Sequence, residues 1–306
     1  MRKLLYILLA AAATIFVAAG CAKDTPGGET VEVSFNLPFA GALSSKAVGD
    51  GSTATRLVVG VYDRKLGFVQ ELSVAPDDPA YAQAFQGLSA QFQTRLTVGH
   101  GYDFVFLGVT PDTDAYTIDL AAGTLTVNPR GTSNDERRDA FYGVWSTDQV
   151  TGPVQTTVTL RRPFAQFNVI SSREDYENAQ ASLVTFQKSA FQVTAPTVLH
   201  LVDGTVDTPA RYELSAAPMP TLVPNFEPYK GGGDYWLLSN YVLVGASELL
   251  EVNFALYAEG REPALYEYNI PSVPLKRNYR TIAYGGVLTT DCDFSLVIRP
   301  DYEEAL

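Results

Sequence analysis

The chain has 306 residues, a formal net charge of -12 and 46% hydrophobic residues. Such an excess of carboxylates disfavours nucleic acid or an anionic lipid surface as a partner. The apolar and aromatic content excludes a disordered chain, and the length suits two domains of ordinary size.

Arg2 and Lys3 precede an apolar run from Leu4 to Val17, which ends in Ala18-Ala19-Gly20-Cys21. A basic start, an apolar stretch and small residues before a cut describe an export signal. No basic stop-transfer flank follows, so residues 1–20 are expected to be removed, not to span a membrane. Ala18-Ala19-Gly20-Cys21 resembles the bacterial lipobox, which implies acylation of Cys21. Several acyl chains at roughly 0.8 kcal/mol per buried CH₂ would hold the chain to a membrane. Residues 21–29 are polar and contain Pro26, Gly27 and Gly28, the composition of a tether. Within it, Lys23-Asp24 is similar in part to the short acidic surface-export signals of Bacteroidetes lipoproteins. The expected location is therefore the outer membrane, facing outward. Loss of Arg2 and Lys3 takes the formal charge to -14 over 286 remaining residues. With Cys21 acylated, Cys292 is the only other cysteine, so no intramolecular disulfide can form. Asp291 and Asp293 flank Cys292 and would raise its pKa, which suits a structural residue better than a nucleophile.

Beyond the tether the dominant pattern has period two, the signature of half-buried strands. Val31, Val33, Phe35 and Leu37 share one face. Leu57–Tyr62 is almost continuously apolar, and Asp63–Gly67 turns it into Phe68–Leu72. Phe92, Leu96 and Val98 alternate with polar residues. Tyr102–Val109 is apolar on both faces apart from Asp103, which predicts a central strand. Tyr116–Leu120 and Val154–Leu160 alternate again. The only clear helix is predicted over Tyr176–Leu183, after Ser171 or Ser172, each with an acid three residues on. Strands follow at Ala165–Val169, Phe191–Val193, Val198–Val202, Tyr235–Val244, Leu250–Leu256, Tyr266–Ile270, Tyr279–Tyr284 and Phe294–Ile298. The last is read as amphipathic, with Phe294, Leu296 and Ile298 on one side. The prediction is an all-β protein of two antiparallel sandwich domains, residues 30–162 and 163–306, with at most short helices.

Chemistry-bearing motifs are sparse. His100 and His200 are the two histidines, far apart, and read as turn and strand residues. HExxH, GxSxG, CxxC and Walker patterns do not occur, so no enzyme, cofactor or metal is expected. Gly231-Gly232-Gly233 precedes a strand, not a helix, and suits a hairpin loop better than a phosphate cradle. Asp112-Thr113-Asp114 could lend oxygens to calcium, yet two carboxylates in a turn begun by Pro111 are explained by turn chemistry. Trp145 and Trp236 could stack sugars but sit among apolar strand residues, as core aromatics do.

Three segments carry a family resemblance. Val158–Val169 (VTLRRPFAQFNV) is similar to the mid-chain segment of Bacteroidetes fimbrillin-like lipoproteins. Pro274–Thr289 followed by Phe294–Ile298 is similar to their C-terminal strands, and Ser45–Gly51 ahead of Leu57–Asp63 to their N-terminal segment. The resemblance implies two transthyretin-like sandwich domains and a role as a type V pilus subunit. It further implies that a protease cuts the surface precursor after a basic residue, removes the first strand, and leaves a groove for a neighbour's strand. Residues 31–37 are then the removable strand. The candidate cuts are Lys46, where the motif aligns, and Arg56, the first arginine after the signal. The donor would be Phe294–Ile298 with its tail to Leu306, and the partners other fimbrial subunits or copies of the chain. Two other readings remain: a permanently lipid-anchored accessory protein of the same system, and a surface glycan-binding lipoprotein.

Overall fold

The structure is a computed structural model that describes residues 28–40, 48–85, 89–221, 235–289 and 293–300. In chain order β1 (Thr30–Pro38), β2 (Arg56–Asp63), β3 (Gly67–Val74), the one-turn helix α1 (Tyr81–Ala84), β4 (Ser89–Thr97) and β5 (Tyr102–Val109) come first. Then follow β6 (Tyr116–Asp119), β7 (Thr124–Val127), β8 (Arg130–Thr132), β9 (Ala140–Thr147) and β10 (Val154–Thr157), with a 3₁₀ turn at Glu136–Arg138. The second half holds β11 (Phe164–Ser171), α2 (Arg173–Ala181), β12 (Phe186–His200), β13 (Val206–Pro218) and β14 (Tyr235–Leu243). It ends with β15 (Ser247–Ala258), β16 (Tyr266–Lys276), β17 (Arg280–Gly285) and β18 (Phe294–Arg299).

These strands form four sheets, in the orders β10-β1-β4, β3-β2-β5-β9, β14-β11-β17-β18 and β16-β15-β12-β13-β8. The fold is all-β and mostly antiparallel. Three pairs run parallel, β1 with β10, β11 with β17 and β13 with β8. Each parallel pair joins strands distant in sequence, as parallel pairing requires. β7 lies beside β12 and carries β6 with it, so first-half residues complete a second-half sheet.

Alternation in β2 and β5 explains the layering. Leu57, Val59, Val61, Phe104 and Phe106 enter a core with Val33, Phe35 and Leu37 of β1. Val58, Tyr62, Val105, Leu107 and Val109 point the other way, into a core shared with Phe167, Phe191 and Tyr212. The β2–β5 sheet therefore has a hydrophobic core on each face, which is why Tyr102–Val109 is apolar throughout. Helix α2 begins as the sequence predicts, with the Ser172 side chain accepting from the Asp175 N–H. It stops at Ala181, because Leu183 adopts a left-handed φ of 57° and is 91% exposed.

The structure corrects several expectations. Phe191–Val193 and Val198–Val202 belong largely to one strand, the fifteen-residue β12. Pro196 is tolerated there because β15 pairs only as far as Val193 and β7 starts at Val198, so its missing N–H falls in a gap. β13 was not anticipated, and β9 only through the strand setting of Trp145. β13 mixes Asp207, Pro209, Arg211 and Glu213 with few apolar residues and stays half-exposed. β18 buries neither face as an amphipathic strand would, since Leu296, Val297 and Ile298 are 36%, 43% and 45% exposed at the sheet edge.

Phe35 packs on Phe92, Phe104, Phe106 and Trp145, so its removal leaves a cavity among four aromatic rings. Phe35→Ala is expected to cost about 3–5 kcal/mol in urea denaturation. Leu296→Ser, on the open edge, should stay within about 0.5 kcal/mol of the parent.

Candidate functional site

β1 is paired along both sides. It runs antiparallel to β4 from Thr30 opposite Thr97 to Pro38 opposite Ser89, and parallel to β10 from Val33 opposite Val154 to Asn36 opposite Thr157. The pairing with the following segment continues to the end of the strand, where the Ala40 N–H donates to the Leu160 carbonyl at 2.8 Å. Gly108 of β5 leaves room for Phe39, since a Cβ built there would lie 2.5 Å from the Phe39 Cζ.

Beyond Ala40 the described chain resumes at Val48, and both flanks meet the same buried side chain. Arg162 is 0% exposed. Its Nη1 donates to the Ala40 carbonyl at 3.3 Å and its Nη2 to the Gly49 carbonyl at 3.0 Å. Nε and Nη2 also bond the two carboxylate oxygens of Asp139, each at 2.8 Å, and the guanidinium lies 4.3 Å from the centre of the Phe141 ring. Asp139 is equally buried; burial pushes its carboxyl up, against the pull of Arg162 and its hydrogen bonds. Arg280 donates to the carbonyls of Val48 and Gly49 and to Gln166. The Gly49 N–H donates to Glu136 Oε2 at 2.9 Å, and the Tyr241 hydroxyl reaches the same oxygen at 2.9 Å. Gly49 thus bonds side chains from three remote segments, in a left-handed conformation (φ 74°) that favours glycine. Glu136 keeps some residue surface, but desolvation and the nearby Asp139 charge push its carboxyl up to about 7.

The sequence placed Arg162 at the end of the first expected domain and within the Val158–Val169 resemblance, and did not single out Asp139, Glu136 or Tyr241. No local signal could have done so, because Arg162 joins Ala40 and Gly49 over 122 and 113 residues of sequence. Of the two candidate cuts, Lys46 lies outside the described residues, as do the signal segment, Cys21, Cys292 and Gly231–Gly233. Arg56 opens β2 opposite Val109 and donates to Ser73 Oγ. His100 closes a turn on Asp63, and His200 pairs with Asp207 at 2.9 Å on the surface. Thr113 accepts from the Ala115 N–H, and Asp114 faces Arg137 at 3.8 Å. Among the described residues no group of three or more His, Cys, Asp or Glu is arranged to hold a metal ion. Trp145 packs edge-on against Phe35 at 5.3 Å, and Trp236 lies beneath the Arg280 guanidinium at 5.7 Å. Neither stands out as a sugar platform.

Residues 24–306 match a family model described as a family of unknown function (DUF6562). The chain belongs to this family. No curated protein matches it. The chain can also be compared in fold with solved structures. The tip fimbrial protein Mfa3 from Porphyromonas gingivalis, solved with a C-terminal truncation, is similar at a TM-score of 0.51 and 14% identity. That alignment covers 89% of this chain and 99% of the other. A Bacteroides thetaiotaomicron protein whose name proposes polysaccharide binding is similar at a TM-score of 0.50 and 10% identity, over 88% and 96% of the two chains. A fimbrial assembly protein from Parabacteroides distasonis aligns over 89% and 96% at 13% identity, with a TM-score of 0.48. The likeness to the first two establishes a shared all-β fold.

Two predictions follow from the buried cluster in this DUF6562 chain. Asp139→Ala strands the Arg162 charge and is expected to cost about 3–5 kcal/mol in urea denaturation. Glu136 holds its proton up to about pH 7 when folded but, at its ordinary value of 4.5, ionises earlier when unfolded. Its contribution to stability is complete below pH 4.5 and is lost as pH rises through 7. Melting temperatures measured across that window should fall for the parent relative to Glu136→Gln, which carries no titrating proton.

Proposed function

We propose that this chain is a non-enzymatic subunit or accessory protein of a cell-surface fimbria, exported as a lipoprotein acylated at Cys21 and assembled by strand exchange. The observation that carries this reading is the placement of β1 between two partners. Loss of β1 would bare one hydrogen-bonding edge on β4, another on β10 and an apolar floor of Phe92, Phe104 and Phe106. Val33, Phe35 and Leu37 alone bury side chains worth about 1.5–3 kcal/mol each. Such a groove is costly until another strand fills it, and it selects an occupant with alternating apolar residues.

The cut belongs after Lys46, in the segment between Ala40 and Val48. Arg56 is a poorer substrate because its backbone is already in the β2–β5 ladder. The donor is β18 with the tail to Leu306, taken from another fimbrial subunit or a second copy. β18 is bonded in the described structure only to β17 and exposes aliphatic side chains. The proposed domain division, residues 30–162 and 163–306, falls directly after Arg162. The fimbrial roles named for the structural neighbours agree with this reading, which places the chain at the outer membrane surface.

Limited trypsin digestion of the folded protein tests it. Cleavage should give one new N-terminus at Ala47, release β1, and produce ladder-forming oligomers on unheated gels. A stable uncut monomer, with Cys21 and β1 retained in protein taken from cells, would replace the pilin reading with a permanently anchored lipoprotein.

A further inference from the structure

The outer face of the sheet containing β12 carries a row of polar side chains in register. Arg130 stands opposite Glu213, Glu213 opposite Gln192, Gln192 opposite Asn253, and Asn253 opposite Asn269. Five adjacent strands contribute, which at roughly 4.8 Å per strand is a row about 19 Å long. A cleft of about 490 Å³ opens over its middle, lined by Gln192, Val193, Thr194, Arg211, Glu251 and Asn253.

The row is partly pre-ordered. Arg211 Nη2 donates to Gln192 Oε1 at 2.6 Å, Asn269 Nδ2 donates to Glu251 Oε1 at 2.7 Å, and Arg130 pairs with Glu213. Asn253, half-buried and next to Gln192 in the row, is held by its backbone in both ladders, while its side-chain amide makes no hydrogen bond to any described residue. A half-buried amide keeps two donors and an acceptor available, and burying such groups without a partner is unfavourable.

The geometry points to a binding site for a neutral oligosaccharide along this row. Amide, guanidinium and carboxylate groups in a line offer paired donors and acceptors. Sugar hydroxyls, each a donor and an acceptor at once, match that pattern along a chain of rings. The charges within the row and cleft balance, with Arg130 and Arg211 against Glu213 and Glu251. The chain as a whole carries a net charge of -12, so an anionic polymer would be repelled on approach. The floor is strand backbone packed on the core through Val193, and a rigid floor holds the polar groups in place. This site lies on a different sheet from β1 and does not depend on strand exchange.

Affinity electrophoresis of the purified protein tests the assignment, with dextran, yeast mannan and inulin in the gel and hyaluronan as the charged comparison. At least one neutral polysaccharide should retard the protein. Asn253→Ala and Gln192→Ala should each weaken that retardation about tenfold, the loss of one or two hydrogen bonds. Thr194→Trp, which fills the cleft and leaves both amide side chains in the chain, should abolish it, with melting temperatures confirming that all three variants fold. Retardation by none of the neutral polymers, stronger retardation by hyaluronan, or retardation that the folded variants leave unchanged would each overturn the proposal.

Discussion

The Arg162–Asp139 pair holds a full charge pair at a point with no solvent contact, and the local chain path is set by what that requires. Desolvating two ions costs several kcal/mol apiece, and their attraction offsets this only with good geometry and every remaining donor satisfied. Asp139 takes two of the guanidinium bonds, and the Ala40 and Gly49 carbonyls take others. Those carbonyls bracket the segment that follows β1. The exit of β1 and the approach to β2 are thus pinned to one residue, which itself sits at the crossing into β11. Arg280 and Glu136 bind the same short stretch at Val48 and Gly49 from the second half of the chain and from the 3₁₀ turn.

This arrangement separates what β1 supports from what it does not. The core that takes Val33, Phe35 and Leu37 lies on one face of the β2–β5 sheet. The core on the other face is continuous with β11, β12 and β13 and contains no β1 residue. A molecule with one core would lose its fold with its first strand. Here the larger core, and the sheets that enclose it, keep all their own side chains. Strand exchange, as proposed, needs such a division, because the vacated subunit must hold its shape until a new strand arrives.

What the sequence disclosed was whatever depends on neighbours a few residues away. Val31 to Leu37 alternate because β1 has one buried face, and Ser172 caps α2 because an N-terminal turn needs an acceptor close by. Tyr102–Val109 could be read as central because only a strand with a core on each side is apolar throughout. The buried cluster was invisible for the opposite reason: Arg162, the turn that carries Glu136 and Asp139, Tyr241 and Arg280 come from segments remote from one another and share no spacing. β13 escaped notice because its outer face carries charges and its inner face is only intermittently apolar. The polar row was hidden likewise, since register between strands, and not order along one, aligns Glu213, Gln192, Asn253 and Asn269.

β1 and β18 differ in a way that gives the proposed exchange a direction. β1 is bonded on both sides and buries its apolar face, so it leaves only if the chain is cut and both ladders open. β18 is bonded on one side, to β17, and already exposes Leu296, Val297 and Ile298. An open edge with aliphatic side chains is an aggregation hazard that proteins usually blunt with charge, brevity or a cover. β18 is six residues long and ends in Arg299, so brevity and one charge limit the hazard without abolishing it. Releasing β18 breaks a single ladder and withdraws one core-packed side chain, Phe294, while filling the β1 groove restores two ladders and a core. In the proposed exchange the free-energy difference runs from a donated β18 toward a vacated β1 site, opposed by the intact peptide before β2 and by the two ladders that hold β1.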